Sequence, residues 1–145
     1  MKKILFAVAM SAILFVVTSS PKIFIGTDDA TIAVVDAQEN LPLTIEFIHS
    51  VQKTPVIEEL QFQSGEFVLI RTKYKSQGVG LPFDAADGNF RREKDWFIMD
   101  DMNRRFKSLS FRTGKGTRLT MTVDGRKFEL YKKFPLGTKI VVKTF

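Results

Sequence analysis

Apolar and polar residues alternate over short segments through most of the chain after residue 30, a spacing typical of half-buried β-strands. In the segment LTIEFIHS, Leu43, Ile45 and Phe47 alternate with Thr44 and Glu46. The other candidate strands are TIAVVD, VIEELQFQ, EFVLIRTKY, WFIMD, FKSLSFRT, TRLTMTV, KFELYKKF and KIVVKTF. The pattern therefore predicts about eight or nine strands.

Turn signals separate these strands and indicate how they pair. Asp124-Gly125 joins two alternating segments as a short hairpin, and Ser64-Gly65 does the same earlier in the chain. A loop that contains Gly and Pro runs from Ser76 to about Glu93. We therefore expect a single all-β domain over residues 31–145, an antiparallel sandwich or barrel.

The first twenty residues differ from the rest. Lys2 and Lys3 precede ILFAVAMSAILFVV, which has no charge and resembles the apolar region of a secretory signal. This run is shorter than the roughly 20 residues that span a bilayer. Pro21 disfavours cleavage after Ser20, and extension through TSSPKIFI would give an uncleaved anchor. We expect residues 1–20 to form a helical signal peptide or membrane anchor that exports the domain to the outer face of the cytoplasmic membrane, the periplasm or the exterior.

Composition excludes several kinds of site. The chain has no cysteine, so disulfides, thiolate metal sites and thiol nucleophiles are absent. The net charge is +6, but basic residues are mixed with acidic ones and lack an aromatic platform, which argues against nucleic-acid binding. The single histidine gives no paired-His spacing, and DAADGN lacks the carboxylate pattern of a calcium loop. We predict no metal and no cofactor.

Polar residues crowd around that histidine in the segment IEFIHSVQKTPVIEEL. A strand that ends at His49 and another that starts near Val56 leave SVQKTP as their connection. If the next hairpin turns at Ser64-Gly65, its open ends bring His49 close to the downstream segment KSQGVGLP. The candidate ligand- or partner-binding residues are His49, Ser50, Lys53, Thr54, Glu58, Arg71, Lys73, Ser76, Gly78, Gly80 and Pro82.

Two segments, FIHSVQKTPVIEE and FVLIRTKYKSQGVGLPF, resemble the paired motifs of the family called domain of unknown function 1850. These motifs are a His-Ser-Val stretch with a downstream Thr-Pro and Glu, and a strand that ends in a Gly-x-Gly-Leu/Met-Pro loop. The matching positions are His49, Ser50, Val51, Thr54, Pro55, Glu58, Thr72, Ser76, Gly78, Gly80, Leu81 and Pro82. The resemblance covers about residues 31–145.

The resemblance implies a role but no activity. Genes of this family commonly lie beside those of TRAP-type transporters whose soluble receptors belong to the TAXI class. The resemblance therefore implies an accessory role in solute uptake, with the membrane or receptor subunits of such a transporter as partners.

Three hypotheses describe the residues around His49. In the first, His49, Ser50 and Lys53, with Arg71 and Lys73, hold a small anion or the acidic face of a partner. In the second, the domain is a hydrolase.

The hydrolase hypothesis makes His49 a general base and Ser50 or Ser76 the nucleophile, although adjacent strand residues face opposite ways. In the third hypothesis the cluster is structural, with His49 capping a turn and Glu58 paired across strands with Arg71 or Lys73. The sequence favours an exported, non-enzymatic binding or accessory domain, with a hydrolase or a structural envelope domain as alternatives.

Overall fold

The computed structural model describes residues 21–145, which form twelve strands and one short helix. The strands are β1 Lys22–Gly26, β2 Thr31–Asp36, β3 Leu41–Ile48, β4 Pro55–Gln63, β5 Glu66–Tyr74, β6 Asn89–Glu93, β7 Trp96–Asp100, β8 Arg104–Phe106, β9 Ser108–Arg112, β10 Thr120–Val123, β11 Arg126–Glu129 and β12 Lys139–Thr144. The helix α1, Leu130–Lys133, follows β11 directly. The predicted all-β class is confirmed.

The strands form two antiparallel sheets that share one core. The smaller sheet has the order β2-β1-β12-β9, and the larger has the order β11-β10-β3-β4-β5-β7-β6, with β8 also paired to β5. Ile25 and Ile140 from the smaller sheet and Ile45 and Met121 from the larger one are completely buried in the same apolar cluster. Burial of these side chains is the main force that holds the sheets together.

Two turns that the sequence indicated are present as hairpins. Asp124 and Gly125 have φ values of 49° and 69°, and Ser64 and Gly65 have φ values of 51° and 85°. Positive φ at both central residues matches the right-handed twist of the flanking strands. The second hairpin joins β4 to β5, so their far ends, at Val56 and Tyr74, lie side by side.

The first strand corrects the predicted domain boundary. An uncleaved anchor that extends through TSSPKIFI would include KIFI, but the segment KIFIG forms β1, which pairs with β2 on one side and β12 on the other. Ile23 and Ile25 are 1% and 0% exposed. The alternating buried side chains of this short apolar segment pack into the core. The folded unit therefore includes Lys22–Gly26 and does not begin at residue 31.

Further differences explain why there are more strands than the sequence indicated. The segment FKSLSFRT divides into β8, which pairs with β5, and β9, which pairs with β12 in the other sheet. KFELYKKF begins as β11 and ends as α1. Strand β6 lies within the predicted loop. All five of its residues are exposed and most are polar, so the sequence shows no apolar alternation there.

The predicted N-terminal signal or anchor helix lies outside the described residues. Within residues 21–145, no helix has the length and apolar character to cross a membrane. Pro21 lies at one end of the two sheets, where its carbonyl accepts a hydrogen bond from the Ala37 amide. Since β3 starts at Leu41, near that end, and runs roughly 26 Å away from it, His49 lies at the opposite end.

Candidate functional site

His49 caps the tight turn that connects β3 to β4. Its backbone carbonyl accepts a hydrogen bond from the Lys53 amide at 2.9 Å, and its own amide donates to the Thr54 carbonyl at 2.8 Å. Its ring nitrogen Nδ1 accepts from the amides of Val51 at 3.3 Å and Gln52 at 3.1 Å. Lys53 closes the turn with φ of 55°. The predicted turn cap is therefore confirmed.

These contacts determine the imidazole tautomer. Because Nδ1 accepts hydrogen bonds from two backbone N–H groups, it carries no proton, so in the neutral ring the proton is on Nε2. Nε2 lies 3.3 Å from the Val79 carbonyl and donates to it. His49 is only 8% exposed, and both of its ring nitrogens are engaged.

The same imidazole holds the loop at residues 76–83, called here the motif loop. The loop crosses the ring at Gly78, where an added Cβ would lie 3.1 Å from His49 Cε1 and 3.2 Å from Nε2. On the other side, the buried Tyr74 hydroxyl donates to the Pro82 carbonyl. Glycine permits the close approach, and two side chains fix the loop against the sheet. The closeness of His49 and this loop agrees with the prediction from hairpin geometry.

The fixed loop and the adjoining His49 turn expose apolar side chains. Val51, Val79 and Phe83 are 71%, 94% and 72% exposed, and we call these three residues the loop face. A cavity of about 310 Å³ lies beside Phe83 and is lined by Tyr74, Gln77, Gly78, Leu81 and Phe83. Exposed aliphatic and aromatic side chains beside a cavity are typical of a contact surface.

The other predicted residues of this end take different positions. Ser50 and Lys53 are exposed in the turn, Ser76 is half-buried, and neither serine hydroxyl hydrogen-bonds His49 within the described residues. Gly80 has φ of 85°, and Pro82 is buried behind the loop face. The Thr54 hydroxyl is buried and has no hydrogen-bond partner among residues 21–145.

Arg71 and Lys73 do not join this group. Arg71 forms ion pairs with Glu59 and Asp100, and Lys73 pairs with Glu59 at 2.7 Å. Asp100 also pairs with Arg91 at 2.5 Å, so the charges form a ladder across β4, β5, β7 and β6. The hypothesis that Arg71 and Lys73 supply charge to a pocket at His49 is wrong because carboxylates on the outer face of the sheet already neutralise them.

The ladder shifts the pKa values of its members. Burial opposes ionisation of Asp100, but hydrogen bonds from Arg71 and Arg91 outweigh it and lower the pKa of that carboxyl. The hydrogen bond to Asp100 also raises the pKa of Arg71. The ladder therefore stays charged at neutral pH and ties the outer strands together.

Glu58 is the remaining predicted residue, and its position corrects the proposed cross-strand pair. Side chains of consecutive strand residues point to opposite faces, so Glu59 joins Arg71 and Lys73 outside while Glu58 faces inward with Val56 and Leu60. No described residue forms a hydrogen bond or ion pair with the Glu58 carboxyl. Burial raises its pKa, and the charge of Arg104 opposes that shift.

This raised pKa predicts a pH effect on stability. The folded state binds the Glu58 proton more tightly than the unfolded chain does, so its contribution to stability is full below the unfolded pKa of about 4.5 and is lost as pH rises through the folded pKa. Glu58→Gln should therefore raise the free energy of unfolding at pH 7 by about 1–3 kcal/mol. Urea unfolding of wild type and variant between about pH 4 and pH 7 measures the difference.

The matched control is Glu46→Gln on the neighbouring strand β3, because the partly exposed Glu46 carboxylate forms, among residues 21–145, only a surface ion pair with Lys127 at 3.8 Å. It should change the free energy of unfolding by less than about 0.5 kcal/mol. A Glu58→Gln variant that is less stable than wild type at pH 7 would contradict the inward, unpaired position of the carboxylate.

Several residues at these sites escaped sequence reasoning. Val79 and Phe83 stand out as apolar residues in a Gly- and Pro-bearing loop, a signal that could have identified the loop face. Asp100 and Arg104 gave no such signal, because only the pairing of β5 with β7 and β8 brings them near the candidate residues. Within residues 21–145, no group of three or more His, Asp or Glu side chains could hold a metal ion.

Comparisons with known proteins identify a family. No curated protein and no solved structure matches the chain. A family model described as a domain of unknown function, DUF1850, matches residues 43–130, which is more than half of the chain. The matched span contains the His49 turn, Glu58, the motif loop and nearly all of the larger sheet. The chain therefore belongs to the family of the domain of unknown function 1850.

Proposed function

We propose that the protein is an exported, non-enzymatic accessory domain that binds a partner protein of a solute uptake system through its loop face. The observation that carries this proposal is a fixed loop with exposed apolar side chains. His49 and Tyr74 hold its backbone, while Val79 and Phe83 remain in solvent. A preorganised apolar surface loses little conformational entropy on binding.

The position of the loop favours a soluble partner. The described chain begins at Pro21, at the opposite end of the two sheets from the loop face. If residues 1–20 anchor the domain, the loop face points away from the membrane. We therefore propose the soluble receptor of a TRAP-type transporter of the TAXI class as the partner, ahead of its membrane subunits.

The alternatives gain less support from the geometry. A hydrolase that uses His49 as general base needs a free ring nitrogen, but Nδ1 and Nε2 are both hydrogen-bonded to backbone groups. A purely structural envelope domain does not account for Phe83 and Val79 being exposed in a loop whose backbone is fixed. A small anion at this end lacks the charges of Arg71 and Lys73.

Phe83→Ser should weaken capture of the receptor by the full-length chain roughly tenfold or more, because exposed aromatic anchors often dominate an interface. Phe145→Ser is the matched control, since Phe145 is 69% exposed and its backbone pairs with Lys22 at the opposite end. Titration of immobilised receptor with each variant measures the affinities. Equal affinity of both variants and wild type, or no capture by wild type, would overturn the proposal.

A further inference from the structure

A second recess lies at the margin between the two sheets and shares no residue with the loop face. It has a volume of about 340 Å³, and we call it the Glu58 cleft. Glu58, Leu60, Leu69, Arg104, Phe106 and residues 108–111 line it. Strands β4, β5 and β8 of the larger sheet and β9 of the smaller sheet therefore meet around the cleft.

The crossing of the chain between sheets creates this opening. Strand β8 pairs with β5, and after Lys107 the chain enters β9, the last strand of the smaller sheet. Within the described residues β9 has a partner on one side only, β12. Because four consecutive residues of β9 border the cleft, its unpaired edge faces the opening, and backbone N–H and C=O groups on that edge are available there.

Among the described residues, the two charged side chains of the cleft have no ion-pair partner. Glu58 projects from the inner face of β4 and forms no ion pair or hydrogen bond with residues 21–145. A carboxylate among apolar side chains is stabilised by a cationic partner. Arg104 lies exposed at the rim, close enough to act on the Glu58 charge but not paired with it.

Apart from the exposed Ser108 and Ser110, the remaining walls are apolar. Leu60, Leu69 and Leu109 are buried, and Phe106 and Phe111 are half-buried. A recess of this size that combines apolar walls with polar groups at separate points has the character of a small-molecule site. One negative group, one positive group and an apolar wall together match a ligand that carries both charges on an apolar body.

We propose that the Glu58 cleft binds a small zwitterion with an apolar body, of the class of apolar α-amino acids. The ligand's ammonium group contacts the Glu58 carboxylate. Its carboxylate faces Arg104 and the free N–H groups of β9, and its side chain packs against the leucines and phenylalanines. This site is independent of the partner surface proposed above.

Isothermal titration of the full-length chain with leucine tests the ligand class. Leucine should bind saturably. The analogue without the ammonium, 4-methylpentanoate, and the analogue without the carboxylate, 3-methylbutylamine, should each bind about tenfold to a hundredfold more weakly, because each lacks one charge-assisted contact. Absence of saturable leucine binding, or an amine that binds as tightly as leucine, would overturn the zwitterion assignment.

Two variants test the residues. Glu58→Gln removes the negative charge but preserves the side-chain shape. Arg104→Gln removes the positive charge at an exposed rim position. Each variant should bind leucine about tenfold to a hundredfold more weakly than wild type. Glu46→Gln and Arg105→Gln are the matched controls and should bind like wild type, since neither residue lines the cleft. Arg105 is adjacent to Arg104 on β8 and faces Glu66 at 3.6 Å.

Comparing receptor capture and leucine affinity in the same variants distinguishes this site from the loop face. Glu58→Gln should leave receptor capture unchanged, and Phe83→Ser should leave leucine affinity unchanged. Leucine binding that persists at wild-type affinity in both folded cleft variants, as checked by circular dichroism, would place the ligand elsewhere and refute the assignment.

Discussion

A chain that starts at residue 31 is expected to be unfolded, whereas a chain that starts at residue 21 keeps the fold. The shorter chain lacks β1, the strand between β2 and β12. Ile23 and Ile25 leave the core with it, and truncation of two buried isoleucines alone costs roughly 4–10 kcal/mol. This range is comparable to the whole stability of a small domain, about 5–15 kcal/mol.

Circular dichroism and urea unfolding of both chains measure this effect. Loss of strand signal is expected in the shorter chain only. Lys22→Ala in the longer chain is the control, because it removes just an exposed ion pair with Asp36 and should change the free energy of unfolding by less than about 1 kcal/mol. A cooperative transition of similar midpoint in both chains would show that β1 is dispensable.

His49→Ala is expected to lower the free energy of unfolding by about 1–3 kcal/mol and to release the motif loop. The substitution removes the acceptor for the Val51 and Gln52 amides and the donor to the Val79 carbonyl. Urea unfolding measures the stability, and faster amide exchange at these turn residues measures the local loss. Val51→Ala, in the same turn but 71% exposed, should be nearly neutral.

Gly78→Ala tests the same contact from the loop side. The new methyl would crowd the His49 ring at 3.1–3.2 Å, and overpacking of this kind costs about 1–3 kcal/mol. In a chain that also carries His49→Ala the ring contacts are gone and only the flexible Gln52 side chain remains close, at 3.1 Å, so the penalty should fall by at least about 0.5 kcal/mol. An equal penalty in both backgrounds would mean that the imidazole does not support the loop.

The function of His49 follows from comparing these variants in the capture experiment. If His49 only positions the loop, His49→Ala should weaken receptor capture less than Phe83→Ser does, because the apolar side chains remain present. A loss as large as that of Phe83→Ser, with the loop still ordered, would assign His49 to the interface itself.

Local sequence patterns determined many of the strands and hairpin turns of this protein. The alternation of Leu43, Ile45 and Phe47 placed a half-buried strand, and Asp124-Gly125 and Ser64-Gly65 placed hairpins, because side-chain direction and positive φ depend on neighbouring residues only. The second hairpin also brought His49 to the motif loop, since hairpin register relates the two ends of its strands.

Pairing between strands that are distant in the chain decided the place of the first strand and the neighbours of the charged residues. KIFIG became a central strand because β2 and β12 flank it, and no residue within KIFIG encodes those partners. The same holds for Arg71, whose charge is neutralised by Asp100 on β7, and for Arg104, which β8 brings to the rim of the Glu58 cleft. Sequence alone determined which faces of the strands are apolar. Only the tertiary structure decided which charges meet, because the energy of an ion pair or a buried carboxylate depends on neighbours that are distant in the chain.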